Sequence, residues 1–336
     1  MRKADVVFGI FLVCAIVFMV ISPMVILPKI YGVSNIWNKD LPKNTTFVEL
    51  WQVDTFEGGS ASRSRYLEKT AFKFQELNSN VYIFVRTLNI EQLKYMLSVG
   101  KKPDMISFGV GAGELLYGYC RELDIKTPVR AELMASGMVA GKQLAIPWCM
   151  GGYILASTLD VDMVNLPNEP MGGYRAVLGY GQDANVTSNV LSELNCVSIS
   201  EDKMDAYEAY KNFVVGKNYN VLLGTQRDYH RLQNKVNLGV ISNCNYRYLS
   251  GYNDLVQYIA ITGEDEGVVN CAKNFVRYLT SVTVQKTLTQ IGMFGVSAIK
   301  IYNDGMTEFE NSVMSTKNIL NVFVSDAELD VMREGR

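Results

Sequence analysis

Along the chain the apolar positions switch between two periods, and the switches mark the elements. Thr46 to Val53, TFVELWQV, is dense in β-branched and aromatic residues and predicts a strand. From Ser64 to Leu77 the period changes to about 3.6, with Leu67, Ala71 and Phe74 on one face and Thr70 and Leu77 beside them, a helix. Asn80 to Leu88, NVYIFVRTL, predicts a second strand, and Ile90 to Val99 a second helix closed by Gly100. Pro103 to Phe108, PDMISF, is a third strand. This alternation predicts parallel strands joined by right-handed crossovers, with ligands gathered at the strands' carboxyl ends. Three loops fall on that edge: 54–60, 108–113, and the one after a further strand, Leu144 to Pro147.

An apolar segment, Tyr153 to Leu159, then leads into a second region. Residues 165–204 are rich in Gly and Asn and show little periodicity. Asp205 to Val215 predicts a helix, with Tyr207, Tyr210 and Val214 on one side and Gly216 as its stop. Tyr219 to Leu223 predicts a strand, Arg227 to about Asn234 a helix, and Leu238–Ser242 and Leu255–Ile261 two more strands. Val268, Cys271, Phe275 and Leu279 form a helical stripe. Ser281 opens a short helix carrying Val284, Leu288 and Ile291, ended by Gly292.

Val6 to Leu27 obeys neither period. It is 22 residues without a charge, which at about 1.5 Å per residue suffices to cross a hydrocarbon core of roughly 30 Å. Arg2 and Lys3 precede it and favour a cytoplasmic N-terminus. The apolar run is longer than a signal-peptide centre, and no clear small-x-small cut site follows. The segment 1–28 is therefore read as a membrane anchor rather than a cleaved signal, with the bulk of the chain outside the cell. Were it cleaved, the protein would be secreted. Pro28, Gly32, Pro42 and Asn44 make 29–45 a stalk.

Composition narrows the function. The chain has 336 residues, 48% of them hydrophobic and 20% charged, which suits two globular lobes. A net charge of −2 provides no surface for tracking phosphates, so nucleic acid is excluded as a partner. A single histidine, His230, removes most imidazole chemistry. Of six cysteines, Cys14 lies in the apolar span; the other five are odd in number and lack a C-x-x-C pair, which is no disulfide framework. They read as small buried hydrophobes, although one pair could be bridged. No metal-ligand spacing is present and no cofactor is implied.

Several strings, in order, then carry a resemblance: AFKFQELNSNVYIFVRT, SVGKKPDMISFG, LAIPWCMGGYILAST, AYEAYKNFVVGKNYNVLLGTQRDYHRL and CAKNFVRYLTSVTVQKTLTQIGMFGVS. Over roughly residues 46–299 the chain resembles the extracellular solute-binding proteins of bacterial ABC importers, a group that includes sugar binders. The resemblance implies an α/β, two-lobe, periplasmic-binding-protein-like (type II) fold, here with an N-terminal transmembrane helix. It places an N-terminal lobe at 46–152, with return of part of the C-terminal segment, and a second lobe with hinge crossings at 153–299; beyond these, 300–336 reads as a helical tail. It implies a non-enzyme that captures a small polar solute, a sugar or oligosaccharide, and presents it to ABC permease subunits. Closure would occur about 153–159 and 243–254. The second lobe is shorter than is usual for the group.

Candidate site residues follow from the loops. Ser107 to Glu114, SFGVGAGE, sits after the third strand, not the first, and Glu114 would repel a pyrophosphate, so a dinucleotide site is disfavoured. Two readings remain: a turn that needs positive φ, or a cleft wall in which Phe108 and Gly109 face a polar, uncharged ligand. Trp51 and Trp148 lie near strand ends, where a ring can stack on a sugar or simply pack in the core. Pro147 and Gly151-Gly152 around Trp148 favour the ligand reading. Phe56 and Tyr153 are further ring candidates. Asp54 and Glu57 can accept hydrogen bonds from adjacent hydroxyls or merely solvate a turn. They could also serve a tethered glycan hydrolase, which needs two carboxylates about 5–9 Å apart. Gln226 and Arg227 open a helix on the second lobe; Arg227 suits an anionic ligand, an inter-lobe ion pair, or plain surface. A last alternative is a degenerate binding protein serving as a sensory or scaffold partner.

Overall fold

The computed structural model describes residues 45–56, 58–159, 175–178, 190, 198–199, 204–216 and 219–334. The first strand, β1 (Thr46–Val53), pairs in parallel with β2 (Val81–Leu88), Thr46 opposite Val81 and Val53 opposite Leu88. Its other neighbour is β3 (Met105–Phe108), also parallel. Between them run α1 (Arg63–Leu77) and α2 (Ile90–Ser98). Ser62 caps α1, its hydroxyl accepting from Arg65 N, and the buried stripe Tyr66, Leu67, Thr70, Ala71 and Phe74 faces the sheet. Asn89 and Gln92 exchange hydrogen bonds in a capping box on α2. Gly100, at φ +74°, turns the chain out of it.

The remaining strands of this sheet come from farther along. β4 (Ile146–Met150) leaves it; β5 (Tyr153–Ser157), β6 (Arg175–Leu178), β7 (Ser198–Ile199), β8 (Val221–Thr225) and β9 (Asn245–Tyr248) build a second sheet; β10 (Val256–Ile261) returns. The first sheet has the order β2-β1-β3-β10-β4 and the second β9-β5-β8-β6-β7. β10 inserts antiparallel between β3 and β4. That insertion cannot be read from local periodicity, which predicted parallel neighbours. The second sheet carries α3 (Ala206–Lys211), capped by Asp205, and α4 (Gln226–Asn237).

Two connections between described strands cross from one sheet to the other. The first crossing is Gly151-Gly152, just ahead of the segment 153–159 expected as a hinge, whose residues 153–157 are instead β5. A Cβ on Gly151 would collide with the Gln226 side chain, and one on Gly152 with Val313 and the Phe309 ring. The second crossing runs from Tyr248 to Val256, inside which Asn253 Nδ2 donates to Gly151 O at 2.9 Å. The two crossings are thus bonded to each other.

After β10, α5 (Glu266–Leu279) packs on β1 and α1. Its Ala272, Phe275 and Val276 join Val48, Leu50, Leu67 and Phe74 in one buried layer. The opposite layer holds Trp51, Val53, Leu93, Ile106, Phe108 and Tyr258. α6 (Thr307–Ser315) then lies on the second sheet, Phe309 stacked on Tyr248 at 4.7 Å. The chain returns to the first lobe: Val322 N donates to Ser136 O, Phe323 meets Phe108, and α7 (Asp326–Glu334) starts with Asp326 N donating to Glu114 Oε2. This tail therefore touches both lobes.

Two expectations are corrected here. No strand forms at Leu238–Ser242; Gly239 at φ +68° turns the chain, and Leu238 and Val240 are exposed. The strand is β9, seven residues on. The predicted helix to Val215 is α-helical only to Lys211 and continues as a π-helix over Asn212–Gly216. Cys120, Cys149, Cys244 and Cys271 are free, and burial raises all four thiols, Cys120 to about 12. Cys14 and Cys196 lie outside the described residues, as do the predicted span Val6–Leu27 and the stalk up to residue 44. Among the described residues no helix is long and apolar enough to cross a membrane.

Candidate functional site

A cavity of about 790 Å³ opens where the loop after β1 faces α4. The first lobe contributes Asp54, Phe56, Gly58 to Ser62 and Arg63; the second contributes Arg227, His230, Arg231 and Asn234. Its size lies within the range of small-molecule sites, roughly 300–1,000 Å³. Position follows from topology: the loop leaves the carboxyl end of a central strand, and both helices begin at the cavity.

On the first lobe Arg63 organises the wall. It is 2% exposed although it sits in the first turn of α1. Its Nη2 lies 2.9 Å from Asp54 Oδ1, its Nε donates to the same oxygen, and Nη2 also donates to Phe56 O. The guanidinium covers the Phe56 ring, 4.0 Å from its centroid. Gln52 Nε2 donates to Asp54 Oδ1 as well, at 2.9 Å. Around this end of β1, buried polar atoms lack acceptors or donors: Arg63 Nη1, Thr55 Oγ1, Gln52 Oε1 and Gln257 Oε1. The loop itself is pinned by Ser60 N donating to Ile291 O, and a Cβ on Gly59 would strike the Ile291 and Gly292 carbonyls.

On the second lobe Thr225 caps α4: Arg227 N donates to Thr225 Oγ1, and Thr225 N donates to Asp228 Oδ2 at 3.0 Å. Asp228 is buried, which raises its carboxyl; the hydrogen bond from Thr225 and the nearby Arg231 oppose that rise. Arg231 Nη1 donates to Asp228 Oδ1 at 3.1 Å. His230 is lowered by burial, with its Nε2 3.4 Å from Gly292 O. His230 also lines a second cavity of about 460 Å³, with Tyr229, Tyr302 and Asp304.

Of the sequence-predicted site residues, the structure brings Asp54, Phe56 and Arg227 to the cavity. The others lie elsewhere. Trp148 is fully buried and stacked on Tyr66 at 5.8 Å and 6°, with Nε1 donating to Ser107 Oγ. Trp51 is buried on the opposite face, with Nε1 donating to Glu49 Oε1. Phe108 packs on Phe323. Gly109 abuts Thr55 and Phe56, with no room for a side chain. Gly111 takes φ +94°, and Gly113 lies against the Val322 carbonyl, so the glycine run is a covered turn. Tyr153 Oη donates to Asp254 Oδ1 at 2.6 Å. Gln226 Oε1 accepts from Gly152 N at 2.9 Å, tying α4 to the first crossing. Glu57 lies outside the described residues.

Arg63 and Arg231 escape the sequence reading, which treats His230 only as a lone histidine that removes most imidazole chemistry. A local signal for Arg63 was there. Ser62-Arg63-Ser64-Arg65 opens a helix with cations in its first turn and no acid among them, against the helix macrodipole.

No protein-family profile and no curated protein matches this chain. Solved structures do. The GacH receptor of Streptomyces glaucescens, solved unliganded and with acarbose, superposes with a TM-score of 0.61 at 13% identity, over 86% of this chain and 92% of that one. The sugar-binding protein MalE of Xanthomonas citri gives 0.60 at 11% identity, over 87% and 93%. Iron-bound HitA of Pseudomonas aeruginosa gives 0.55 at 14% identity, over 86% and 99%. The chain thus has the two-lobe α/β fold of the solute-binding proteins, the fold that its sequence resemblance implied.

Proposed function

We propose that this protein is the extracellular solute-binding component of an ABC importer. It captures a small polar solute, a sugar or oligosaccharide, between its lobes and presents the closed form to permease subunits. The observation that carries this reading is one cavity walled from both lobes, by Asp54 to Arg63 on one side and Arg227 to Asn234 on the other. A solute favours closure only through contacts made in the closed state, so both walls must touch it. The sugar-binding neighbours support the choice of carbohydrate. HitA shows that the fold also holds other cargo. Val6–Leu27 serves as a single-span anchor that keeps the binding lobes at the cell surface.

Hydrolysis is the weaker reading, because Asp54 Oδ1 is already engaged by Arg63 and Gln52. Binding is tested by thermal shift of the full chain against a panel of neutral and acidic mono- and oligosaccharides. A ligand at a hundredfold its Kd adds about 2.7 kcal/mol. Small-angle scattering should show the radius of gyration falling with that ligand. No stabilisation across the panel, together with an unchanged radius, would refute capture. The anchor is tested separately: the protein should stay in the membrane fraction after an alkaline carbonate wash.

A further inference from the structure

We infer that the solute held in the inter-lobe cavity carries a negative charge, a carboxylate or a phosphate, gripped by Arg63 from one lobe and Arg227 and Arg231 from the other. This rests on the capture reading above and names its substrate class.

The first ground is charge. Three arginines line the cavity, and the one acid among its described lining residues is Asp54, whose Oδ1 is bound to Arg63 and Gln52. Arg231 has Asp228 as a partner, but Asp228 is buried beneath it and does not line the space.

The second ground is the helices. α1 has 15 residues and α4 has 12, and the first turn of each reaches the cavity. Both helices place an arginine there, Arg63 and Arg227, where the partial positive charge of the helix end disfavours a cation. α1 has no acid in its first turn to offset this. In α4 the first turn also holds Asp228, which offsets Arg227, so α1 alone breaks this local rule at the cavity, and such a break points to a function that compensates for it. An anion beside Arg63 relieves that repulsion.

The third ground is the state of Arg63. It is 2% exposed, it lines the cavity, and Nη1 has no acceptor. A buried guanidinium N–H without a partner is costly. A carboxylate or phosphate oxygen is the acceptor whose geometry matches that fork.

The fourth ground is the scarcity of ring faces. Aromatic faces stack on the apolar face of a neutral sugar, and the only ring besides the His230 imidazole among the described lining residues is Phe56, covered by the Arg63 guanidinium. Trp148, the ring placed best by sequence, is in the core.

The test titrates the purified full chain with matched pairs: galactose and galacturonate, glucose and glucose 6-phosphate, with inorganic phosphate and sulfate alone. By calorimetry the charged member should bind at least about tenfold more tightly than its neutral partner, as expected for charge-assisted bonds. That gap should shrink between about 50 and about 500 mM salt, as screening weakens the attraction. It should also close in Arg227→Gln and in Arg231→Gln; the salt series gives the same readout should either variant fold poorly. Equal shifts from inorganic phosphate and glucose 6-phosphate would assign a bare oxyanion, within the same class. Neutral and charged partners binding alike, or neutral ones alone binding, would overturn the inference and leave capture standing. No binding by any probe, with no change in radius, would remove both.

Discussion

Trp148 shows how a single ring can mislead a reading of sequence. Its flanks, Pro147 and Gly151-Gly152, suggest an open loop, yet β4 runs through it and pairs with β10, which arrives from more than a hundred positions later. Nothing near Trp148 in sequence announces that partner. Trp148→Phe removes the hydrogen bond to Ser107 and some ring area, and should cost about 1–3 kcal/mol. Urea unfolding measures the loss. Solute affinity should change less than twofold, whereas a ligand-stacking ring would change it far more. Asp54 is the contrasting case. It was nominated from its loop alone, because a residue between a strand end and a helix start needs only local pattern to be placed. Its carboxylate is the counter-charge of buried Arg63, but its own side chain is 44% exposed. Solvent screening therefore trims the penalty, and Asp54→Asn should destabilise by about 1–2 kcal/mol. The loss should be visible as a lower unfolding midpoint.

Helix α4 joins stability to the cavity. It is capped by Thr225, it is tied by Gln226 to the first crossing, and it presents Arg227, His230 and Arg231 together. Thr225→Ala should cost about 1 kcal/mol. His230 adds a pH dependence. Burial, the larger cause, lowers its imidazole, against the opposing Gly292 carbonyl and Asp304. In the unfolded chain a histidine titrates near 6.5. Its stabilising contribution is therefore complete above about pH 6.5 and is lost as pH falls through that value toward the lower folded one. Between about pH 7.5 and about pH 5.5, which bracket the free-histidine value of about 6.5, wild type should lose more of its melting temperature than His230→Gln. Equal losses would remove His230 as the cause. Helices α1 and α2 were legible because one buried face imposes one period, and β1 and β2 because β-branched and aromatic residues crowd a short run. Leu238–Ser242 misled for the converse reason: apolar residues on a turn carry the composition of a strand without its burial, while β9, NYRY, is half-buried and polar enough to be missed.

The two lobes are held by more than their crossings. The chain beyond Thr307 lies first on the second sheet, through Phe309, and then on the first lobe, through Val322 and Phe323. Val322 and Leu329 are buried almost completely. Removing residues 317–336 should therefore cost at least roughly 3–6 kcal/mol, from two fully buried aliphatic side chains at about 1.5–3 each. It should also uncover Phe108 and the glycine turn to a hydrophobic dye. A truncated chain as stable as the full one would show that the tail is a bystander. Sequence assigned this tail a helix but no destination, since its partners, Ser136 and Glu114, are known only once both lobes are folded.

The four free thiols, three of them buried and Cys120 half-buried, have a practical sequel. Burial raises their pKa and so disfavours the thiolate at neutral pH, and thiolate is the species that alkylates and oxidises. They should stay silent toward maleimide dyes while the protein is folded. With Cys14 and Cys196 replaced, fluorophores installed through Ala61→Cys and Asn234→Cys, one on each wall, would label alone. Energy transfer between them would then follow the gap in real time on otherwise native lobes.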